Sequence, residues 1–193
     1  MPAMVENKVN NPESVVVGNE KFVKLFSEEV IQKRIKELGE QISSDYKGKV
    51  PVLIGILNGS FLFMSDLIKH IDLECEVDFL KLSSYGDAKI SSGNVTMLKE
   101  LNCEVNGRDL IIVEDIVDSG LSIRFMEELI ERQKPSSVRV VSLLVKPGSL
   151  KYEVKIDYIG FEIPGLFVIG YGLDYAQKFR NLRSIYVLSE KKN

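Results

Sequence analysis

Ile111-Ile112-Val113-Glu114-Asp115-Ile116-Val117-Asp118-Ser119-Gly120-Leu121-Ser122 joins an apolar run to three acids and a small polar turn. The apolar residues from Leu110 to Val113 suit a strand covered on both faces, and the amphipathic segment after Gly120 suits a helix returning over the sheet. The acids then fall at the carboxyl end of a strand, where open α/β sheets bind ligands. The N-terminus of the following helix offers unpaired N–H groups and partial positive charge to a phosphate, and Ser119, Gly120 and Ser122 are small enough for phosphate oxygens to approach. Such a loop attracts anions, so Glu114 and Asp115 need other partners: sugar hydroxyls, or a magnesium ion already held by phosphate. Together these residues describe a pocket for a phosphorylated sugar. The plainer alternative is a buried strand with Asp118 or Ser119 capping the next helix.

Outward from this stretch the pattern alternates strand and helix. Val15 to Val17 and Phe22 to Phe26 read as short extended segments. Ser27 then caps a helix with Glu28 and Glu29 in its first turn and Ile31, Ile35, Leu38 and Ile42 on its apolar face, running to about Ser44. Val50 to Leu57 is a β-rich run broken by Asn58-Gly59-Ser60, after which Phe61, Met64, Leu67, Ile68 and Ile71 recur at helical spacing. Cys75 to Leu82 is strand-like, Ser83 to Asn94 is polar, and Val95 to Leu98 resumes strand character. Past the opening stretch, a helix carrying Phe125, Met126, Leu129 and Ile130 ends before Pro135, and Val138 to Val145 is the next buried strand. Tyr158 to Phe161, Phe167 to Tyr171 and Ser184 to Leu188 read as further short strands. The alternation implies an α/β fold: a mainly parallel twisted sheet with helices on both faces.

A length of 193 residues fits a single domain, and 45% hydrophobic with 27% charged residues is ordinary for a globular protein. The net charge of −3 argues against general nucleic-acid binding. No apolar run is long enough to span a bilayer, and Met1 to Asn11 lacks a signal-peptide core, so a cytoplasmic protein is expected. Cys75 and Cys103 have no metal-type spacing and read as reduced thiols. The single histidine, His70, follows Lys69 at a helix C-terminus, where a cation near the dipole is the simplest reading.

The stretch from Ile111 to Ser122 resembles the 5-phosphoribosyl-1-pyrophosphate (PRPP) binding motif of type I phosphoribosyltransferases: four hydrophobics, two acids, a spacer, then Ser/Thr-Gly-x-Ser/Thr. Within that family the chain is most similar to the hypoxanthine-guanine phosphoribosyltransferases. The resemblance implies a phosphate cradle of Ser119, Gly120, Leu121 and Ser122, with Glu114 and Asp115 near the ribose hydroxyls, and Asp118 as the general base. Leu57, Asn58 and Gly59 match the pyrophosphate-binding loop, in which the bond corresponding to Leu57-Asn58 can be cis. Many relatives carry Lys or Arg at the Asn58 position, so this chain has one charge contact fewer there. Ser84 and Tyr85 match the Ser-Tyr pair of a lid that closes over pyrophosphate and excludes water. Lys146 matches the lysine that donates to the exocyclic oxygen of a 6-oxopurine, and Phe167 with Val168 matches the segment that stacks on the base and pairs with its edge. Asp174 matches a residue reaching a second magnesium ion, and Arg180 one contacting pyrophosphate.

The same resemblance implies a single type I phosphoribosyltransferase domain over residues 1–193. Its core would cover about 28–150, and the N-terminal segment with about 151–193 would form a small base-binding hood. Mg²⁺ would be held by Glu114, Asp115 and Asp174, and the substrates would be PRPP and hypoxanthine, guanine or xanthine. No membrane or stable nucleic-acid partner is expected, and the chain would be a homodimer or homotetramer. The rival reading is a non-catalytic regulator of the same fold that binds nucleotide and RNA. That role wants a basic face with exposed aromatics, whereas Lys and Arg here are scattered among acids. Gly170-Tyr171-Gly172 does not complete a dinucleotide fingerprint, because no third glycine opens a helix.

Overall fold

The computed structural model describes residues 11–84, 95–99 and 101–189. Alternating apolar residues organise the larger sheet. Strands β1 (Ser14–Val17) and β2 (Glu20–Phe26) precede helix α1 (Glu28–Asp45), followed by β3 (Val52–Leu57), α2 (Phe61–Leu67), β4 (Glu76–Ser84) and β5 (Val95–Lys99). Then come β6 (Asp109–Val117), α3 (Leu121–Glu131), β7 (Ser137–Val145), β8 (Tyr158–Glu162), β9 (Val168–Ile169) and β10 (Ile185–Leu188). A six-stranded sheet has the order β5-β4-β3-β6-β7-β8, all parallel except the antiparallel edge strand β5. The expected parallel sheet is therefore present. β8 continues it past residue 150, to Glu162.

Both faces of this sheet are covered. Leu53, Ile111, Val113, Val141 and Leu143 meet Ile31, Ile35, Leu38 and Ile42 of α1 and Phe63, Met64 and Leu67 of α2. The intervening residues Val52, Ile54, Ile56, Leu110, Ile112 and Val140 meet Ile123, Met126 and Ile130 of α3 on the other side. The period of two along β3 and β6 thus divides one run of apolar residues between two cores. Cys75 packs against the first core and Cys103 against the second, so the sheet separates the two free thiols.

The chain ends build a second, antiparallel sheet of order β1-β2-β10-β9, in which β10 pairs with β2 on one side and β9 on the other. Phe22, Ile169, Leu182 and Tyr186 form its own small core. Several expected elements are shorter than their apolar patterns, α2 and the strand after Phe167 among them. α2 ends at Leu67 and tightens into a 3₁₀ turn over Ile68–His70. That turn packs on Gly39 of α1, where a β-carbon would lie 2.6 Å from that of His70. The strand expected from Phe167 to Tyr171 contracts to Val168–Ile169, because Gly170, Tyr171 and Gly172 all have positive φ and turn the backbone out of the extended region. Among the described residues no helix is long and apolar enough to cross a membrane.

Asp78 on β4 ties the sheet to the segment before β6. Its carboxylate accepts N–H groups from Phe79 (2.7 Å), Asn102 (2.5 Å) and Cys103 (3.0 Å) and pairs with Lys99 at 3.2 Å. Burial alone would raise its pKa, but these donors outweigh it and bring the value down to about 2. A carboxyl lowered on folding adds stability above its unfolded value of about 3.9, and that stability is lost as pH falls toward 2. Asp78→Asn is expected to cost about 2 kcal/mol at pH 7, and the gap from wild type in urea midpoint should shrink steadily between pH 4 and pH 2.

Candidate active site

Strand register places the chemistry. Val117 pairs with Val145 across β6 and β7, so the next residues on each strand, Asp118 and Lys146, emerge side by side at the carboxyl edge. Lys146 Nζ donates to Asp118 Oδ2 at 2.8 Å. The lysine is only 7% exposed, while the Asp118 side chain is 56% exposed, so the carboxylate faces outward from a buried ammonium group.

Beyond Asp118 the chain turns into α3 through Gly120, whose φ of +82° is the left-handed conformation that glycine adopts without penalty. The helix is entered at Gly120, which carries no side-chain cap, and Asp118 does not supply one. Ser119 Oγ accepts the first-turn N–H of Leu121 at 3.3 Å, one contact of the plainer reading. Glu114 and the residues from Ile116 to Ile123 line a cleft of about 90 Å³ over the helix N-terminus, where first-turn N–H groups lack intrahelical acceptors. Asp118, Ser119, Gly120, Leu121 and Ser122 all contribute to it.

The two other acids lie deeper. Burial, and then the neighbouring charge of Asp115, pushes the Glu114 carboxyl well above the usual range, and Glu114 Oε2 has no hydrogen-bond partner among the described residues. Burial also lifts Asp115 to about 6, against the backbone N–H groups and the Arg180 charge that lower it. Gly55 pairs with Val113, which carries the loop after Leu57 to Asp115. There the Leu57-Asn58 bond is cis. A β-carbon on Gly59 would overlap the Asp115 carboxylate, lying 2.8 Å even from its farther oxygen, Oδ1. Asn58 is exposed beside this contact.

A third loop closes on the first two. A β-carbon on Gly172 would overlap the Gly59 carbonyl oxygen, so these glycines meet backbone to backbone. Arg180 donates to the Gly172 carbonyl at 2.7 Å and pairs with Asp174 Oδ1 at 2.7 Å. Asp174 Oδ2 accepts the N–H of Gln177 at 2.8 Å. Gly59, Asp115, Asp174 and Arg180 are thus brought together. Sequence reasoning misses the Gly59–Gly172 contact, although the Gly170-Tyr171-Gly172 pattern is its visible trace.

Phe167 is 46% exposed, and its ring meets Phe22 and Tyr175 in T-shaped contacts at 6.1 and 5.8 Å. Val168 lies on β9, the edge strand of the smaller sheet among the described residues, paired with β10. Ser84 ends β4, and Tyr85 lies outside the described residues. Two larger cavities, of about 470 and 440 Å³, share only Phe167 and Arg180 respectively with the expected site residues.

A family model, the phosphoribosyl transferase domain, matches residues 24–176. The chain belongs to the phosphoribosyltransferase family. This phosphoribosyltransferase is 51% identical to the hypoxanthine-guanine phosphoribosyltransferase of Bacillus subtilis, over 85% of this chain and 91% of that one. It is 42% identical to the enzyme of the same name from Streptococcus thermophilus, over 86% and 93% of the two chains. A crystal structure of a hypoxanthine phosphoribosyltransferase from Staphylococcus aureus superposes with a TM-score of 0.83 at 43% identity, covering 86% of this chain and 90% of that one.

The donors of this phosphoribosyltransferase suit a divalent cation that brings most of its own ligands. Glu114 offers a buried oxygen with no partner among the described residues, and Asp115 follows it. Among the described residues no group of three or more His, Cys, Asp and Glu side chains gathers as a ready metal cage, so Glu114, Asp115 and Asp174 do not form one by themselves. A magnesium ion here would draw on phosphate oxygens and water, as this ion commonly does.

Proposed function

We propose that this phosphoribosyltransferase moves the 5-phosphoribosyl group of PRPP to N9 of a 6-oxopurine, giving IMP, GMP or XMP and pyrophosphate. The observation that carries this reading is the Lys146–Asp118 pair at 2.8 Å above the anion cleft. A 6-oxopurine presents its O6 and N7 side by side on one edge. A buried ammonium and an exposed carboxylate at hydrogen-bond separation match that edge, the lysine donating to O6 and Asp118 taking the proton from N7 as N9 attacks C1 of the ribose.

In this reading the loop from Ser119 to Ser122 holds the 5-phosphate, and Glu114 and Asp115 orient the ribose hydroxyls. Gly59, Asn58 and Arg180 receive the departing pyrophosphate. Mg²⁺, held by Glu114, Asp115 and Asp174 together with phosphate oxygens and water, would offset the charge of that leaving group when bound. Phe167 stacks on the base and the Val168 backbone pairs with its edge, which makes the smaller sheet the base-binding hood. Ser84 and Tyr85 belong to the lid. The setting is a cytoplasmic homodimer or homotetramer, as the resemblance implies.

Incubation with PRPP, Mg²⁺ and hypoxanthine should yield IMP and pyrophosphate in equal amounts. Folded protein that yields neither would refute the reaction. Lys146 has a narrower test. It can only donate, so it suits an oxygen at C6 and leaves adenine's amino group without an acceptor. Lys146→Met is expected to lower kcat/KM for hypoxanthine by about 10- to 100-fold, the weight of a hydrogen bond to a charged group. Unchanged kcat/KM would remove the lysine from base recognition.

A further inference from the structure

Tyr171 is a residue that neither the opening motif nor the proposed chemistry uses, yet it is 4% exposed and has φ of +48° between two glycines at +94°. A non-glycine residue keeps that conformation only when its surroundings hold it. Its hydroxyl donates to Asp66 Oδ2 on α2 at 2.6 Å. The same oxygen accepts Gln32 Nε2 from α1 at 2.7 Å, and Oδ1 accepts Lys69 Nζ at 2.8 Å.

α2 begins directly after the Asn58-Gly59-Ser60 turn, so Gly59 and Asp66 move as one piece. Tyr171 and Gly172 are consecutive on the other. The two pieces therefore meet at Gly59 against Gly172 and at Asp66 against Tyr171. The first contact is backbone on backbone and carries no directional bond. The second is a charge-assisted hydrogen bond, which does fix direction. Arg180 is anchored on the Gly172 carbonyl, and Asp174 pairs with Arg180. Without the tyrosine hydroxyl Asp66 still has two donors, so the hydroxyl is not needed to satisfy the carboxylate.

We propose that the Tyr171–Asp66 hydrogen bond is a brace that sets the Asp174–Arg180 pair against Gly59 and Asp115. Tyr171 and Asp66 are then positioning residues for the pyrophosphate moiety of PRPP and touch no substrate themselves. This rests on the reaction proposed above.

The test is calorimetric titration of Mg²⁺ and inorganic pyrophosphate into wild type, Tyr171→Phe, Asp66→Ala, Asp66→Asn and Lys69→Met, with steady-state KM for PRPP and hypoxanthine. Tyr171→Phe should weaken pyrophosphate and raise the PRPP KM about 10-fold, leaving the hypoxanthine KM in place. Asp66→Asn, which keeps an acceptor for the hydroxyl, should recover most of what Asp66→Ala loses, and Lys69→Met should match wild type. Unchanged pyrophosphate affinity in Tyr171→Phe, or an equal loss for both substrates, overturns the brace alone. Wild-type protein that binds no pyrophosphate overturns the reaction and the brace together.

Discussion

Asp118→Asn should lower kcat by about 10² to 10⁴, the usual contribution of a positioned general base, while leaving the purine KM and the fold nearly unchanged. The reasons lie in the geometry. Asparagine has the shape of aspartate, and its amide oxygen can still accept from Lys146 Nζ, now 2.8 Å from Oδ2. The Asp118 side chain is 56% exposed, so the substitution buries no unpaired group. What disappears is the capacity to take a proton. Circular dichroism and urea unfolding check the fold, and single-turnover nucleotide formation checks the step. Full turnover in the folded variant would take the base role away from Asp118.

Gly59→Ala should lower kcat/KM for PRPP by about 10²-fold or more, the scale of a misplacement near 1 Å among reacting groups. Gly59 has no positive φ, so alanine meets no backbone obstacle. The obstacle is the Asp115 carboxylate, all three of whose terminal atoms lie within 2.8 Å of the new β-carbon. The carboxylate must leave its place, and with it goes the contact joining the pyrophosphate loop to β6. Overpacking of this kind also costs about 1 to 3 kcal/mol of stability. The hypoxanthine KM should hardly move, because Lys146 and Phe167 are untouched. Wild-type kinetics toward PRPP in this variant would mean that the Gly59–Asp115 contact lies outside the site.

The parallel sheet was legible because its strands are covered on both faces and so read as unbroken apolar runs. Val138 to Val145 is β7 but for its first residue, and the face of α1 was plain from Ile31, Ile35, Leu38 and Ile42. The adjacency of Asp118 and Lys146 needed only the register of two neighbouring strands. Other features hid in contacts that leave no side-chain pattern. The smaller sheet pairs β2 with β10 from opposite ends of the chain, which short-range periodicity cannot report. Gly59 and Gly172 meet through backbone alone. Asp78 looked like one polar residue of a strand, and its role depends on the N–H groups of Asn102 and Cys103, whose folded positions no local pattern encodes. Tyr171 read only as the end of a short strand, while its hydroxyl is what reaches Asp66.

The most direct measurement is kcat/KM for nucleotide formation with PRPP and Mg²⁺, comparing hypoxanthine, guanine and xanthine with adenine on one protein preparation. The Lys146–Asp118 pair predicts turnover with at least one 6-oxopurine and none measurable with adenine. Adenine turned over as well as the oxopurines would contradict the account. Silence with every base, while nucleotide still bound, would point instead to a non-catalytic regulator on the same fold.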